Sequence, residues 1–95
     1  MTDIQLGSTI KRNNSYPFQR VMDETVIVEP RTRQMHHLNE IGTDIWDILS
    51  EPHTIRDVIS RIMEGYEVDN TTLQSDVMNF LQEMMSRNLI MIHTE

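Results

Sequence analysis

The hydrophobic pattern of this chain changes period between Leu38 and Asn39, from two to 3.6 residues, and that switch dictates a mixed architecture. Before it, Thr25-Val26-Ile27-Val28 is a β-branched run with strand character, and Gln34 to Leu38 reads as a second arm across the turn Pro30-Arg31-Thr32-Arg33. Ser8 to Asn13 fits a short first strand, while Asn13-Asn14-Ser15 and Pro17 are turn chemistry. Residues 1–7 read as a loose terminus.

After the switch, Asn39 is a helix N-cap, and Ile41, Ile45, Ile48 and Leu49 form one stripe with Trp46 on its shoulder as a core anchor. Pro52 stops that helix. Thr54 with Asp57 resembles a capping box, and Ile55, Val58, Ile59, Ile62, Met63 and Tyr66 then repeat at helical spacing. Asp69 or Asn70 opens a third helix running to about Asn88, and Leu89 to Ile92 forms a last short strand or a packed tail. The predicted fold is α+β and winged-helix-like: a small three-stranded antiparallel sheet followed by three helices, with residues 1–95 as one domain.

The third helix is unusually apolar around its circumference. At about 100° per residue from Leu73, Val77 lies near 40°, Phe80 near 340° and Met84 near 20°. These four define a core stripe, with Met63 and Met84 as core filler. Leu81, Met85 and Met78 extend the apolar arc to about 160°, wider than one buried face requires. Such a helix either packs on two neighbours or lends its second side to a groove, where flexible thioethers adapt to varied ligands.

Composition narrows the chemistry. The chain has 95 residues and no cysteine, so disulfides, thiolate metal sites and cysteine nucleophiles are excluded. No apolar run approaches the ~20 residues of a membrane span, and no basic-then-apolar leader is visible, so a cytoplasmic location is expected. The net charge is −7, with residues 1–38 at +1 (five basic, four acidic) and residues 39–95 at −8 (three basic, eleven acidic). That balance opposes nucleic acid as a partner. His36 and His37 are adjacent, so a strand points them to opposite faces, and no metal site is expected. Asp44 and Asp47 read as a solvated helix face, the serines lack a nucleophile-elbow context, and the isolated glycines make no phosphate cradle. No catalytic constellation and no cofactor motif is present in the sequence, so a non-catalytic binding module is expected. A sheet edge beside an apolar helix suits an extended peptide that adds as a strand.

The stretches Val26-Ile-Val-Glu-Pro30, His37-Leu38-Asn39, Gly42, Ile45-Trp46 and Leu49 together resemble the PqqD-like family, also called the RiPP recognition element. Pro52-His53-Thr54-Ile55, Tyr66-Glu67-Val68-Asp69, Asp76-Val77, Phe80-Leu81 and Asn88-Leu89-Ile90 continue the match, which spans about residues 18–92. The resemblance implies a precursor's leader peptide docking as an extra strand on the third strand, against the third helix. It implies delivery of that peptide to a modifying enzyme, often a radical SAM protein. Carried over by position, it implies a strand edge of Gln34, Met35, His36, His37 and Leu38, and a helix wall of Met78, Leu81 and Met85 with Gln74 and Gln82. On that placement, Met78→Asp abolishes peptide binding and leaves the fold intact.

Arg31 and Arg33 read as a solvated turn. The family usually has glycine in this hairpin turn, whereas here Thr32 precedes Arg33, which implies a different turn type. Trp46 and Asn39-Glu-Ile-Gly42 resemble the broad PqqD-like group rather than members dedicated to pyrroloquinoline quinone. Two other readings stay open: a winged-helix DNA-binding regulator, and a structural homodimer formed through the same open edge.

Overall fold

The computed structural model describes residues 4–66 and 69–94. Glu67 and Val68, which belong to the family-like pattern, and Met1–Asp3 of the expected loose terminus lie outside these residues. Four strands precede the first helix: β1 (Thr9–Arg12), β2 (Phe18–Val21), β3 (Glu24–Val28) and β4 (Met35–Leu38). Then come α1 (Glu40–Ile48), β5 (His53–Thr54), α2 (Ile55–Gly65), α3 (Asn70–Ser86) and β6 (Ile90–Ile92).

The fold is α+β with three helices, as the pattern predicts, but the strands form two antiparallel sheets, ordered β2-β3-β4 and β5-β1-β6. The expected first strand, β1, does not join the hairpin. Ile10 at its centre is fully buried and pairs with His53 on one side and Ile92 on the other. The Asn13 N–H, donating to the Leu89 carbonyl at 2.9 Å, continues that attachment. The place beside β3 is taken by β2, whose four residues Phe18-Gln-Arg-Val are all exposed and so lack the alternation that marks a strand in sequence.

Side-chain caps start each helix where the sequence places them. Asn39 accepts from Gly42 N–H at 2.9 Å, Thr54 from Asp57 N–H at 3.1 Å and Asp69 from Thr72 N–H at 3.2 Å. Asp57 does not complete a capping box; its carboxylate takes the Arg61 Nε–H at 2.8 Å instead. The end of α3 is a Schellman turn, with Leu89 N–H donating to the Met84 carbonyl and Asn88, at φ 61°, occupying the left-handed position.

One core joins all three helices. Trp46, Ile45 and Leu49 from α1, Ile55, Val58 and Ile62 from α2, and Leu73, Val77, Leu81 and Met84 from α3 meet Ile10, Ile27, Leu38, Leu89 and Ile90. Each fully buried side chain of this size contributes about 1.5–3 kcal/mol. Two expectations need correction. Met63 is at the surface, because it lies on the flank of the buried stripe that Ile55, Val58, Ile59 and Ile62 set on α2. Ile4 is 4% exposed within the core and Arg56 N–H donates to the Leu6 carbonyl, so the chain is tied down from Ile4 onward.

The β2-β3-β4 sheet is fastened to α1 on its inner face. The Phe18 ring meets Trp46 edge-on at 5.5 Å, and the Arg12 guanidinium lies 4.7 Å from the Phe18 centroid and 5.5 Å from that of Trp46. Arg20 pairs with Asp47 beside them. The buried Thr25 hydroxyl donates to Thr43 Oγ1 at 2.9 Å, and Thr43 donates on to the Leu38 carbonyl. These contacts hold β4 as the outer strand of its sheet, next to α3.

Candidate peptide-binding site

Among the described residues β4 is bonded to β3 alone, which leaves its other edge open. The register pairs Val28 with Met35, Ile27 with His36, Val26 with His37 and Thr25 with Leu38. Glu29 N–H donates to the Gln34 carbonyl at 2.8 Å, which makes Glu29–Gln34 a hydrogen-bonded pair. Antiparallel ladders alternate bonded and non-bonded pairs. His36 and Leu38 therefore turn their backbone groups toward β3, while Met35 and His37 turn their N–H and C=O groups to the open edge. Side chains alternate the other way: His36 and Leu38 are buried, Met35 and His37 exposed.

Along this edge runs a cleft of about 300 Å³, floored by β4 and walled by Phe80, Glu83, Met84 and Arg87 of α3. The wall repeats at i, i+3, i+4 and i+7, one continuous face of the helix. A second cavity of about 290 Å³ continues it past Phe80, between α1 and the first half of α3. Gly42 permits the close approach there, since a Cβ at this position would come within 3.1 Å of Phe80 Cζ and 3.2 Å of Leu38 Cβ.

The cleft's polar groups are linked. The buried His36 ring meets Arg87 Nη1 through Nδ1 at 3.3 Å, and its Nε2 faces Glu29 Oε2 at 3.6 Å. Arg87 Nη2 also donates to Glu83 Oε1 at 2.9 Å. His37 lies outward, with Nδ1 3.7 Å from Glu24 Oε1. The two histidines thus lie on opposite sides of the strand, and among the described residues no cluster of three His, Asp or Glu side chains suits a metal ion. No helix among them is long and apolar enough to cross a membrane.

The residues expected at the site divide into two groups. Met35, His36, His37 and Leu38 line the cleft, and Gln34 sits exposed at the mouth of the strand. The expected helix wall of Gln74, Met78, Leu81, Gln82 and Met85 does not line it. Leu81 is fully buried in the core, Met78 and Met85 are half-buried against that core, and Gln74 and Gln82 are exposed. The wide apolar arc is real, but its cleft side is the other flank. Leu81 is a core position, which moves the buried centre of the helix toward the Met78 and Met85 flank. Phe80, Glu83 and Arg87, on the opposite flank, are left to face β4. The signal was present in the i, i+3, i+4, i+7 series from Phe80 to Arg87, masked by two polar members.

Arg31 and Arg33 are exposed, as a solvated turn requires. Arg33 itself adopts φ 60°, so the hairpin keeps a left-handed residue without glycine.

Among solved structures, the chain is similar to TbiB1, determined in complex with the TbiA(β) leader peptide. The TM-score is 0.78 at 24% identity, covering 90% of this chain and 99% of that one, so the fold is shared. No curated protein sequence matches. The family model for coenzyme PQQ synthesis protein D (PqqD) matches residues 24–90, most of the chain including β4, the three helices and the cleft between them, and the chain belongs to that family.

Proposed function

We propose that this protein is a non-catalytic recognition element that binds the leader of a ribosomally made precursor peptide and presents it to a modifying enzyme, a radical SAM protein in this reading. The observation that carries it is the open edge of β4 above a cleft walled by Phe80, Glu83, Met84 and Arg87 of α3. Met35 and His37 turn backbone N–H and C=O groups toward the cleft, and the half-buried Phe80 supplies an apolar surface for a side chain of the added strand. The fold shared with TbiB1, whose structure holds a leader peptide, supports the same use of this edge.

Binding then acts by effective concentration: a leader held on the domain raises the local concentration of its attached core peptide at the enzyme. This role needs no catalytic group, and a cytoplasmic site of action follows from a peptide made on ribosomes. A DNA-binding role finds no support in α3, where Asp76 and Glu83 would meet phosphates with the wrong sign.

The test is an NMR titration of the isotope-labelled chain with the leader of a short peptide encoded beside its gene. Shifts concentrated at Met35 to Leu38 and at Phe80, Glu83, Met84 and Arg87 are expected. Silence there in a folded chain, with shifts on adding duplex DNA, overturns the reading.

A further inference from the structure

The cavity between α1 and α3 differs in chemistry from the β4 cleft it adjoins. Its floor is apolar, made by Ile41, Leu73, Val77 and the Phe80 ring. Its rim is polar, and most of that rim is already engaged. Asn39 Oδ1 accepts from Gly42 N–H, and the Thr72 hydroxyl donates to Asp69 at 3.2 Å. The Asp76 carboxylate, exposed on the same rim, has no ion pair or side-chain hydrogen bond among the described residues. Both helices that form the cavity belong to the acidic part of the chain, residues 39–95 at −8, with Glu40 and Asp44 on α1 and Asp69 at the start of α3.

An apolar floor under a lone carboxylate matches one kind of side chain: a long hydrocarbon stem ending in a cation. The stem buries against Ile41, Leu73 and Val77, the head reaches Asp76, and the Phe80 face adds a cation–π contact along the way. A purely apolar side chain would leave the carboxylate unused, and an acidic one would meet repulsion. We infer that this cavity is a side-chain subsite for a lysine or arginine of the strand bound on β4. The inference rests on the peptide-binding reading for its ligand and deepens it. Arg87 marks the opposite end of the groove, eleven residues along α3, or about 16 Å. An extended strand covers that distance in about five residues. A bound segment therefore carries its cationic residue about five positions away from the residue next to Arg87.

The test uses the full labelled chain and three single-residue probes at low ionic strength: the N-acetyl, N-methylamide derivatives of lysine, norleucine and glutamate. The lysine probe is expected to shift the Leu73 and Val77 methyls and the Gly42 amide, and to bind at least threefold tighter than norleucine, while glutamate leaves these signals unmoved. Asp76→Asn, at an exposed position, is expected to bring lysine down to norleucine. Norleucine binding as tightly as lysine in the unaltered protein, lysine shifts that survive Asp76→Asn unchanged, or lysine shifts confined to other surfaces would each overturn the subsite. Single residues cannot add as a strand, so their failure condemns the subsite alone. A leader peptide that leaves β4 silent condemns the peptide-binding reading instead.

Discussion

His36 and Arg87 meet across the floor of the cleft, Nδ1 to Nη1 at 3.3 Å, and so join β4 to the end of α3. A guanidinium only donates, so Nδ1 must accept and the ring proton sits on Nε2, which faces Glu29. Long-range ¹⁵N–¹H correlation on the neutral ring is expected to show the Nε2–H tautomer; a proton on Nδ1 contradicts the contact. Arg87→Ala frees the ring to mix tautomers. It also removes a cation that lines the cleft, and calorimetry is expected to show leader binding weakened at least tenfold.

Met35 and His37 are the residues whose backbone faces the open edge, which makes proline a selective probe. His37→Pro removes an N–H that bonds to nothing in the sheet, and proline is tolerated on edge strands. Leader affinity is expected to fall at least tenfold by calorimetry while the thermal transition survives. His36→Pro instead removes a donor turned toward β3, leaves its ladder acceptor unpaired, and should cost about 1–3 kcal/mol of stability. Equal loss of stability in both variants would show that the edge is assigned to the wrong residues.

The hairpin turn stores strain where the missing glycine implies a different turn type. Arg33 holds φ 60°, a region that penalises any residue with a Cβ. Arg33→Gly should stabilise the protein by about 1 kcal/mol, raising Tm by about 4–8 °C for a chain of this size. Asn88, at φ 61°, is the internal control: asparagine enters this region readily, so Asn88→Gly should gain less. Thermal unfolding of the two variants side by side measures the difference.

The contrast between Arg33 and α3 explains what was readable in advance. Helix starts were legible because capping is local: Asn39, Thr54 and Asp69 each bond within three residues of themselves. The edge strand was legible because Gln34 to Leu38 follows the β-branched run Thr25–Val28 across the turn Pro30–Arg33. β2 was not, since its exposed residues lack a strand's alternation and the side chains that seat it, Phe18 on Trp46 and Arg20 on Asp47, reach more than twenty residues along the chain. The second sheet was hidden because β1, β5 and β6 come from the start, the middle and the end of the chain. The side of α3 that meets β4 depends on where Leu81 points, and a wheel of similar apolar residues does not choose between flanks.

Tyr66 links α2 to α1 through its hydroxyl, which donates to Asp44 Oδ2 at 2.6 Å. That hydrogen bond, with burial and the negative charge of Asp44 behind it, pushes the phenol up to about 12. A pKa raised on folding stabilises fully below the unfolded value near 10 and is lost as pH climbs through the folded one. Tyr66→Phe should therefore cost about 1 kcal/mol in urea unfolding at pH 8. The gap should close between pH 10 and 12. A gap that is constant over that range would mean that the hydroxyl contributes nothing through its ionisation.

Phe80 and Met78 lie two residues apart on α3 and are both half-buried, yet they sit on opposite flanks of the core stripe. Phe80 lines the β4 cleft and the neighbouring cavity; Met78 lines neither. Truncating each to alanine removes partly buried apolar surface, so both variants should lose about 1–2 kcal/mol, below the 2–5 kcal/mol of a fully buried site. Binding separates them. Phe80→Ala takes away the wall against which a strand on β4 would pack and should weaken leader affinity at least tenfold. Met78→Ala should leave it within twofold once the folded fraction is accounted for. Calorimetric titration of the two variants under conditions where both are fully folded decides between the flanks. The opposite ranking would move the peptide to the Met78 and Met85 side of the helix and leave the β4 cleft without its ligand.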